Sequence, residues 1–467
     1  MLYLNSPTML NYLWLALVTL AVLIGAVTGR LPEVTSGAFQ SAVTAVMTIA
    51  LPLVGIMALW LGMMRLAERS GLVQLLARGL RPVLRRLFPD VPVEHPAMGS
   101  MLMNMAANML GLANAATPLG LRAMRDLEKL NRVPGTATNA MCTFLAINTA
   151  SIQLIPTTAI AILATQHARN PTAIVGTALL ASLCATTVGV AIAKWLQSWP
   201  RFAVRPEDAD AAPAAASAAA PAVELPAEPA PLSTRGRWAI FALLGGFAAL
   251  FGWIVLNPAG YHSFTAGLHG RLFPTSVPVA AWEDTSAQPI LLRAVATLSL
   301  LAVPLMLVFF PLYASLRQVK VYEEFVEGAK EGFGVAQRVI PFLVAILVAI
   351  GMFRGAGGIE ALKSVLAPVL TPLGFPPDLL PMVLVRPLSG SATTGLFTEL
   401  VQRLGPDSLT VRMAGTIYGS TETTFYVLAV YFGSVAVRRT RHAVIAGLCA
   451  DGMSVIASVV VCRLMFG

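Results

Sequence analysis

"LPLVGIMALWLGMMR", residues 51–65, aligns without a gap to "IPFLVAILVAIGMFR", residues 340–354, which places Pro52 on Pro341, Gly62 on Gly351 and Arg65 on Arg354. A short gap later, "RPVL" at 81–84 matches "APVL" at 367–370, and Phe88-Pro89 matches Phe375-Pro376. The chain therefore contains an internal repeat, and its fold is to be read as two related halves.

Composition sets the medium in which those halves fold. Of 467 residues, 56% are hydrophobic and only 12% charged, and the mean hydropathy is +0.73. That leaves too little polar surface for a soluble globule and indicates an all-α polytopic membrane protein. A hydrocarbon core of ~30 Å needs about 20 helical residues. Runs that meet this need lie at 10–29, 38–64, 137–166, 172–194, 238–257, 289–314, 339–353 (completed by the weakly charged stretch from Val335), 412–437 and 443–464. The first run has no basic residue before it and is too long for a leader's apolar core, so it is read as a retained crossing.

Charge placement orients these nine crossings. Basic groups at 65–86, 122–132, 194–237, 317–338 and 438–441 hold 22 of the 32 Lys and Arg residues when assigned to one side. That side is cytoplasmic by the positive-inside bias, and the bias accounts for the net charge of +9 without nucleic acid as a partner. The N-terminus is then inside and the C-terminus outside. Two apolar segments are flanked by like-sided arginines and should enter without crossing, as re-entrant hairpins: 96–120, "PAMGSMLMNMAANMLGLANAATPLG", and 378–402, "DLLPMVLVRPLSGSATTGLFTELVQ". In this topology 51–65 runs inward and 340–354 outward, so the repeat is inverted, with 238–257 as the extra crossing that flips the second half.

The expected organisation is a first repeat at 10–198, an Ala/Pro-rich cytoplasmic linker at 199–237, an extra crossing with a periplasmic loop at 238–288, and a second repeat at 289–467. The linker, with "AAPAAASAAAPAVELPAEPAP" at its centre, lacks the aromatics needed for a core. Cys142, Cys184, Cys449 and Cys462 all lie in apolar runs without CxxC spacing, and His95, His167, His262, His269 and His442 show no ligand spacing. No metal or other cofactor is expected. No histidine stands near Ser389 or Ser391 to serve as a base, and no P-loop appears, so neither enzymatic catalysis nor an ATP-driven pump is expected.

Several stretches carry a family resemblance. "NAATPLGLRAM" at 114–124 resembles the signature of spore maturation protein A. "VYEEFVEGAKEGFGVAQRVIPFLVAILVAIGMFR" at 321–354, "RPLSGS" at 386–391 and "TETTFYVLAVYFGS" at 421–434 resemble spore maturation protein B. The resemblance covers about 10–198 and 300–467. Both proteins carry the nucleoside recognition, or Gate, domain, which also occurs in concentrative nucleoside transporters and in the membrane part of the ferrous-iron transporter B family. It implies two Gate domains working together. The chain departs from the pattern by fusing the two proteins and adding the linker and 238–257, so the resemblance does not carry a sporulation role over to it.

The cost of burying charge locates the candidate site. A carboxylate or guanidinium at membrane depth costs ~2.5–3.5 kcal/mol on insertion scales, so Arg386 and Glu422 must face a partner or a wet cavity. Arg386 precedes Pro387, where the second hairpin should break. Ser389, Ser391 and Thr393 follow at its tip, and Thr421, Glu422 and Thr423 lie within "GSTETTFYVLAVYFGS", 419–434. In the first half Asn104, Asn108, Asn114 and Thr117, with a break at Pro118, and Asn148, Ser151 and Gln153 before Pro156 are the counterparts. These residues would line a polar cavity where the repeats meet, or form interhelical hydrogen bonds. Glu422 would bind a cation or pair with Arg386, and Asp451 is a third intramembrane charge and a second ion-coupling candidate. The expected function is transport of a small polar or anionic solute across a bacterial inner membrane by alternating access, with H+ or Na+ as candidate coupling ion. A non-transporting scaffold in envelope or spore-type maturation is the alternative, and a homo-oligomer is left open.

Overall fold

The computed structural model describes residues 6–111, 113–203, 230–272, 285–361, 364, 368 and 374–467; the side chains of 6–11, 13, 113–115, 335, 336, 338 and 339 are outside that description. Among the described residues the chain is helical, with a single isolated bridge between Thr136 and Arg439 and no strand. Five helical stretches among the described residues are long and apolar enough to cross a membrane: Leu31–Arg69, Pro171–Leu196, Thr234–Leu256, Ile290–Leu316 and Ala443–Phe466. Their outer faces carry exposed apolar side chains, including Phe39, Trp238, Phe241 and Leu256, as a lipid solvent requires. The protein is a multi-pass helical membrane protein.

Helix α1 spans Ser6–Thr28. Helix α2 (Leu31–Val43) passes through one π-helical stretch, Thr44–Ala50, into α3 (Leu51–Arg69). The amphipathic α4 (Leu72–Leu87) buries Leu72, Val73, Ala77 and Leu84, and puts Arg78, Arg81, Arg85 and Arg86 on its other positions. A hairpin follows, α5 (Pro96–Met109) and α6 (Ala113–Glu128). Next come a helix interrupted between α7 (Asn139–Ala150) and α8 (Thr157–Thr165), and the uninterrupted α9 (Ile174–Leu196).

Helix α10 (Thr234–Leu256) starts at Ser233, whose hydroxyl accepts from the Gly236 amide at 3.1 Å. The expected loop at 258–288 begins instead as helix α11, Pro258–Leu272. Asn257 accepts from the Gly260 amide at 2.9 Å and Pro258 needs no amide partner, so the glycines of this stretch are overridden by a well-formed start. Residues 273–284 lie outside the described part, as do 204–229 of the linker.

The second series starts after α12 (Ile290–Leu316). Helix α13 (Val321–Gly355) runs for 35 residues, well beyond the expected crossing at 339–353, because "VYEEFVEGAK" continues it at the polar end. A short α14 (Leu380–Val385) and α15 (Gly390–Leu404) form a second hairpin. Another interrupted helix, α16 (Leu409–Ser420) and α17 (Thr424–Gly433), and the uninterrupted α18 (Ala443–Phe466) complete the chain.

The order hairpin, interrupted helix, uninterrupted helix thus occurs twice, and corresponding helices pack against each other in antiparallel pairs. Along α2–α3 against α13, Gly37 faces Gly351 and Gly62 faces Phe325 and Gly328. A Cβ on Gly37 would stand 2.6 Å from the Gly351 carbonyl oxygen, so this contact needs glycine on both sides. Ala193 and Ala446, and Ala185 and Ala450, make the same close pairing of α9 with α18.

Candidate functional site

Both interrupted helices open at the centre of this packing, each for a local reason. Helix α7 ends at Ser151, whose φ of 30° is left-handed, and α8 starts after Pro156, which has no amide to continue a helix. Between α16 and α17 no proline is present. There the Ser420 and Thr421 hydroxyls donate to the Ile417 carbonyl at 3.2 and 3.5 Å, offering it a partner other than the next turn's amide, and Thr421 is extended. The hydroxyl-rich run at 420–424 is thus a helix break.

Backbone hydrogen bonds tie each break to the tip of its own hairpin. The Leu154 amide donates to Met109 O and the Phe425 amide to Pro387 O, both at 2.9 Å. A third bond joins the breaks to each other, the Glu422 amide donating to Thr149 O at 2.8 Å. The first hairpin turns at 110–111, with Gly111 at φ 76°, and not at Pro118. Pro118 sits inside α6, as its sixth residue, and the helix continues through it despite the lost amide bond. The second hairpin breaks at Arg386–Ser389, as its Arg-Pro pair predicts.

These four elements line a cavity of about 140 Å³. Asn108 and Gly111 of the first hairpin, Gln153, Thr157 and Thr158 of the first break, Arg386 and Gly390 of the second hairpin, and Tyr418 and Glu422 of the second break form its wall. Arg386 is 5% exposed. Its Nη2 donates to Tyr418 O at 2.9 Å and to Thr421 O, its guanidinium carbon lies 4.7 Å from the Tyr418 ring centroid, and its Nε is buried without a partner. The cation thus caps the carbonyl end of α16, where the helix dipole favours positive charge. Glu422 accepts from Gln153 Nε2 at 3.1 Å. Among the described residues no ion pair joins Arg386 to Glu422, so the pairing considered from the sequence is not made: each charge is held by neutral groups of its own.

The other expected site residues stand around this wall. Asn104 donates to Ala116 O at 2.8 Å and to the Tyr431 hydroxyl at 3.2 Å, tying the arms of the first hairpin together and to α17. Asn148 accepts from Asn108 Nδ2 at 2.8 Å and fixes that amide's orientation. The Ser151 hydroxyl is buried without a partner, and Thr117 is half-buried on α6. Ser389 caps α15 by accepting from the Ala392 amide at 3.2 Å. Ser391 is half-buried in its first turn, and Thr393 donates back to Ser389 O at 2.7 Å. Thr421 and Thr423 are buried in the second break. Asn114 lies outside the described side chains. Asp451, on α18, accepts from the Thr424 hydroxyl and has its other oxygen buried without a partner, and it is not part of the cavity wall. Tyr418, Thr157 and Thr158 were not anticipated. Tyr418 lies in the last turn of α16, four residues before Glu422, where an aromatic next to the hydroxyl-rich run was the available signal.

Each hairpin is also clasped at its base. In the first, Asp126 accepts from Ser100 and from Lys129, both at 2.8 Å. Burial alone would raise that carboxyl, but the hydrogen bonds from Lys129 and Ser100 outweigh it and hold its pKa below the ordinary aspartate value. In the second, Arg403 bridges Glu399 at 3.0 Å and Asp378 at 2.7 Å.

Comparison with known proteins places this arrangement. Over 175 residues, 38% of this chain and 89% of the relative, it is 44% identical to spore maturation protein A of Bacillus subtilis (strain 168). Over 170 residues, 36% of this chain and 96% of the relative, it is 42% identical to spore maturation protein B of the same organism. Each relative accounts for about a third of the chain, consistent with a fusion of the two types. No solved structure matches. The nucleoside recognition model, Gate, matches residues 50–199 and 336–438, together more than half of the chain. The two segments carry both hairpins and both helix breaks, and the chain belongs to the nucleoside recognition, or Gate, family.

Proposed function

We propose that the protein is a transporter-like component of a bacterial inner membrane that moves a small polar or anionic solute by alternating access. The observation that carries this reading is the convergence of two helix breaks and two hairpin tips on one cavity lined by Arg386, Glu422, Gln153 and Asn108. Interrupted helices at corresponding positions of two repeats supply free helix ends to a midplane site, which is how secondary transporters bind solutes without extra charged groups. The antiparallel packing of α3 on α13 and α9 on α18 supports an inverted repeat, with residues 10–198 and 289–467 as the two units, 199–237 as their tether and nine crossings in all. Rocking one unit against the other about the cavity would expose it to each side in turn.

Arg386 and the first turn of α8 would attract the solute's anionic end. Glu422, on the wall, and Asp451, behind it, are the candidate sites for H+ or Na+ coupling. Asp451 touches Thr424, the first residue of α17, so a change in its charge bears directly on the second break.

The test is solute uptake into proteoliposomes under imposed pH and Na+ gradients. Wild type should accumulate solute, Glu422→Gln should lose uptake, and Asp451→Asn should lose its dependence on the gradient. No movement of any solute under any gradient, with normal cellular function retained by Glu422→Gln and Arg386→Ala, would leave the scaffold reading instead.

A further inference from the structure

Resting on the transport reading above, we infer that the central cavity takes a small zwitterion, an ammonium and a carboxylate on one short carbon skeleton, as in a free amino acid with a small side chain. Size narrows the class first. A volume of about 140 Å³ is close to that of an engineered protein cavity that holds benzene, and below the ~300 Å³ at which drug-sized ligand sites begin. A volume of this size favours a ligand smaller than a nucleoside, which joins a base to a pentose.

Charge narrows it further. Arg386 and Glu422 share the cavity, yet each is held back by neutral partners: the guanidinium by the terminal carbonyls of α16 and the Tyr418 ring, the carboxylate by Gln153. Opposite charges in a confined site attract by several kcal/mol at ~4 Å, so an arrangement that keeps them apart leaves both available to a ligand. A carboxylate alone would meet Arg386 but face Glu422, and an amine alone would meet Glu422 but face Arg386. A dipolar ligand satisfies both and escapes both repulsions, the usual basis of selectivity by unfavourable pairing.

The neutral wall is divided in the same sense. Thr157 and Thr158 bring hydroxyls and the amide end of α8 to the cavity, suited to a carboxylate. Asn108 directs its amide nitrogen to Asn148 and Gln153 directs its own to Glu422, which leaves both side-chain carbonyls as acceptors for an ammonium.

Binding of glycine and alanine to the purified full chain, measured by calorimetry and by the shift in Tm, tests the inference. Methylamine, acetate, glycinamide, N-acetylglycine and adenosine serve as comparators. We expect glycine or alanine to bind at least ~100-fold more tightly than any single-charge analogue, a difference of about 2.7 kcal/mol. Glu422→Gln should reverse the order, weakening glycine while strengthening acetate or N-acetylglycine, a reversal that a purely structural role for Glu422 would not produce. Arg386→Gln should weaken glycine and acetate alike, and Glu422→Gln alone decides the matter if that variant does not fold. Acetate binding as tightly as glycine, or adenosine as the sole binder, overturns the zwitterion while the transport reading stands. No binding by any probe, with no uptake in proteoliposomes, overturns both.

Discussion

The two halves open their helices at the same place by different chemistry. The first break is built from backbone constraints, with Ser151 in the left-handed region and Pro156 without an amide, and its cavity-facing groups are neutral: Asn108, Gln153, Thr157 and Thr158. The second break has no proline between α16 and α17 and opens through hydroxyls that take over the Ile417 carbonyl, and its half supplies the charges, Arg386 from the hairpin and Glu422 from the break. The difference shows a division of labour. A neutral half with fixed dipoles can hold a charged half in place, because Gln153 of the first restrains Glu422 of the second and Thr149 O accepts from the Glu422 amide. Neither charge then needs the other.

Removing a charge from the second half should have the largest effect. Arg386→Leu leaves the Tyr418 and Thr421 carbonyls without their cationic donor, so stability should fall by about 2–3 kcal/mol and uptake should drop below detection. Arg386→Lys should recover little, since a point charge cannot cap two carbonyls and lie over a ring at once. Thermal unfolding in lipid and proteoliposome uptake measure the two effects separately, and near-wild-type uptake by the leucine variant would end the idea that the second half carries the solute's counter-charge.

Moving the charge across the boundary should have an intermediate effect. Gln153→Glu places two carboxylates together and removes the donor to Glu422, which should cut uptake by at least ~10-fold. The double variant, Gln153→Glu with Glu422→Gln, restores one carboxylate and one amide in reversed positions. Recovery to within ~10-fold of wild type would mean that the cavity needs the charge but not its place in one particular half. No recovery would make the asymmetry itself essential.

Altering the first break's backbone should have a smaller effect, and of opposite sign on stability. Ser151 carries a left-handed φ and a buried hydroxyl with no partner, both of which glycine removes. Ser151→Gly should therefore stabilise the protein by about 1 kcal/mol, read as a higher Tm. The second break has no left-handed residue between Ser420 and Thr424, so a glycine at Thr421 should destabilise. A rise in Tm from both substitutions would remove the claimed difference between the breaks.

Much of this was legible in the chain because bilayers punish exceptions. An arginine before proline, a glutamate among hydroxyls and asparagines in an apolar hairpin each stand out against lipid, and Arg386, Glu422, Asn108 and Gln153 do meet at one cavity. Misreadings arose where local rules compete. Pro118 looks like a break but lies inside the continuous α6, while Gly111 turns the hairpin. Pro258 and several glycines suggest a loop, but Asn257 supplies a cap and α11 forms. The separation of Arg386 from Glu422 could not be read at all, since it depends on which carbonyls α16 leaves free at its end. Tyr418 was passed over because an aromatic in an apolar helix looks like ordinary packing until the cation over it is seen.

The hairpin bases extend the comparison to pH, with the smallest expected effect. Both are clasped by carboxylates, but the first clasp rests on Asp126 with Ser100 and Lys129, and the second on Arg403 between Glu399 and Asp378. Asp126 has its folded-state pKa depressed, so its contribution is fully present above the ordinary aspartate value and is lost as pH falls through the lower, folded value. In native-state hydrogen exchange on the first hairpin, wild-type protection should therefore fall below about pH 4, by about 1 kcal/mol at most for so exposed a lysine partner. Asp126→Asn should show the lower protection already at neutral pH and little further change on acidification. An identical acid profile in wild type and variant would mean that the Ser100 and Lys129 contacts do not hold the first hairpin shut, and that the helix packing around it does.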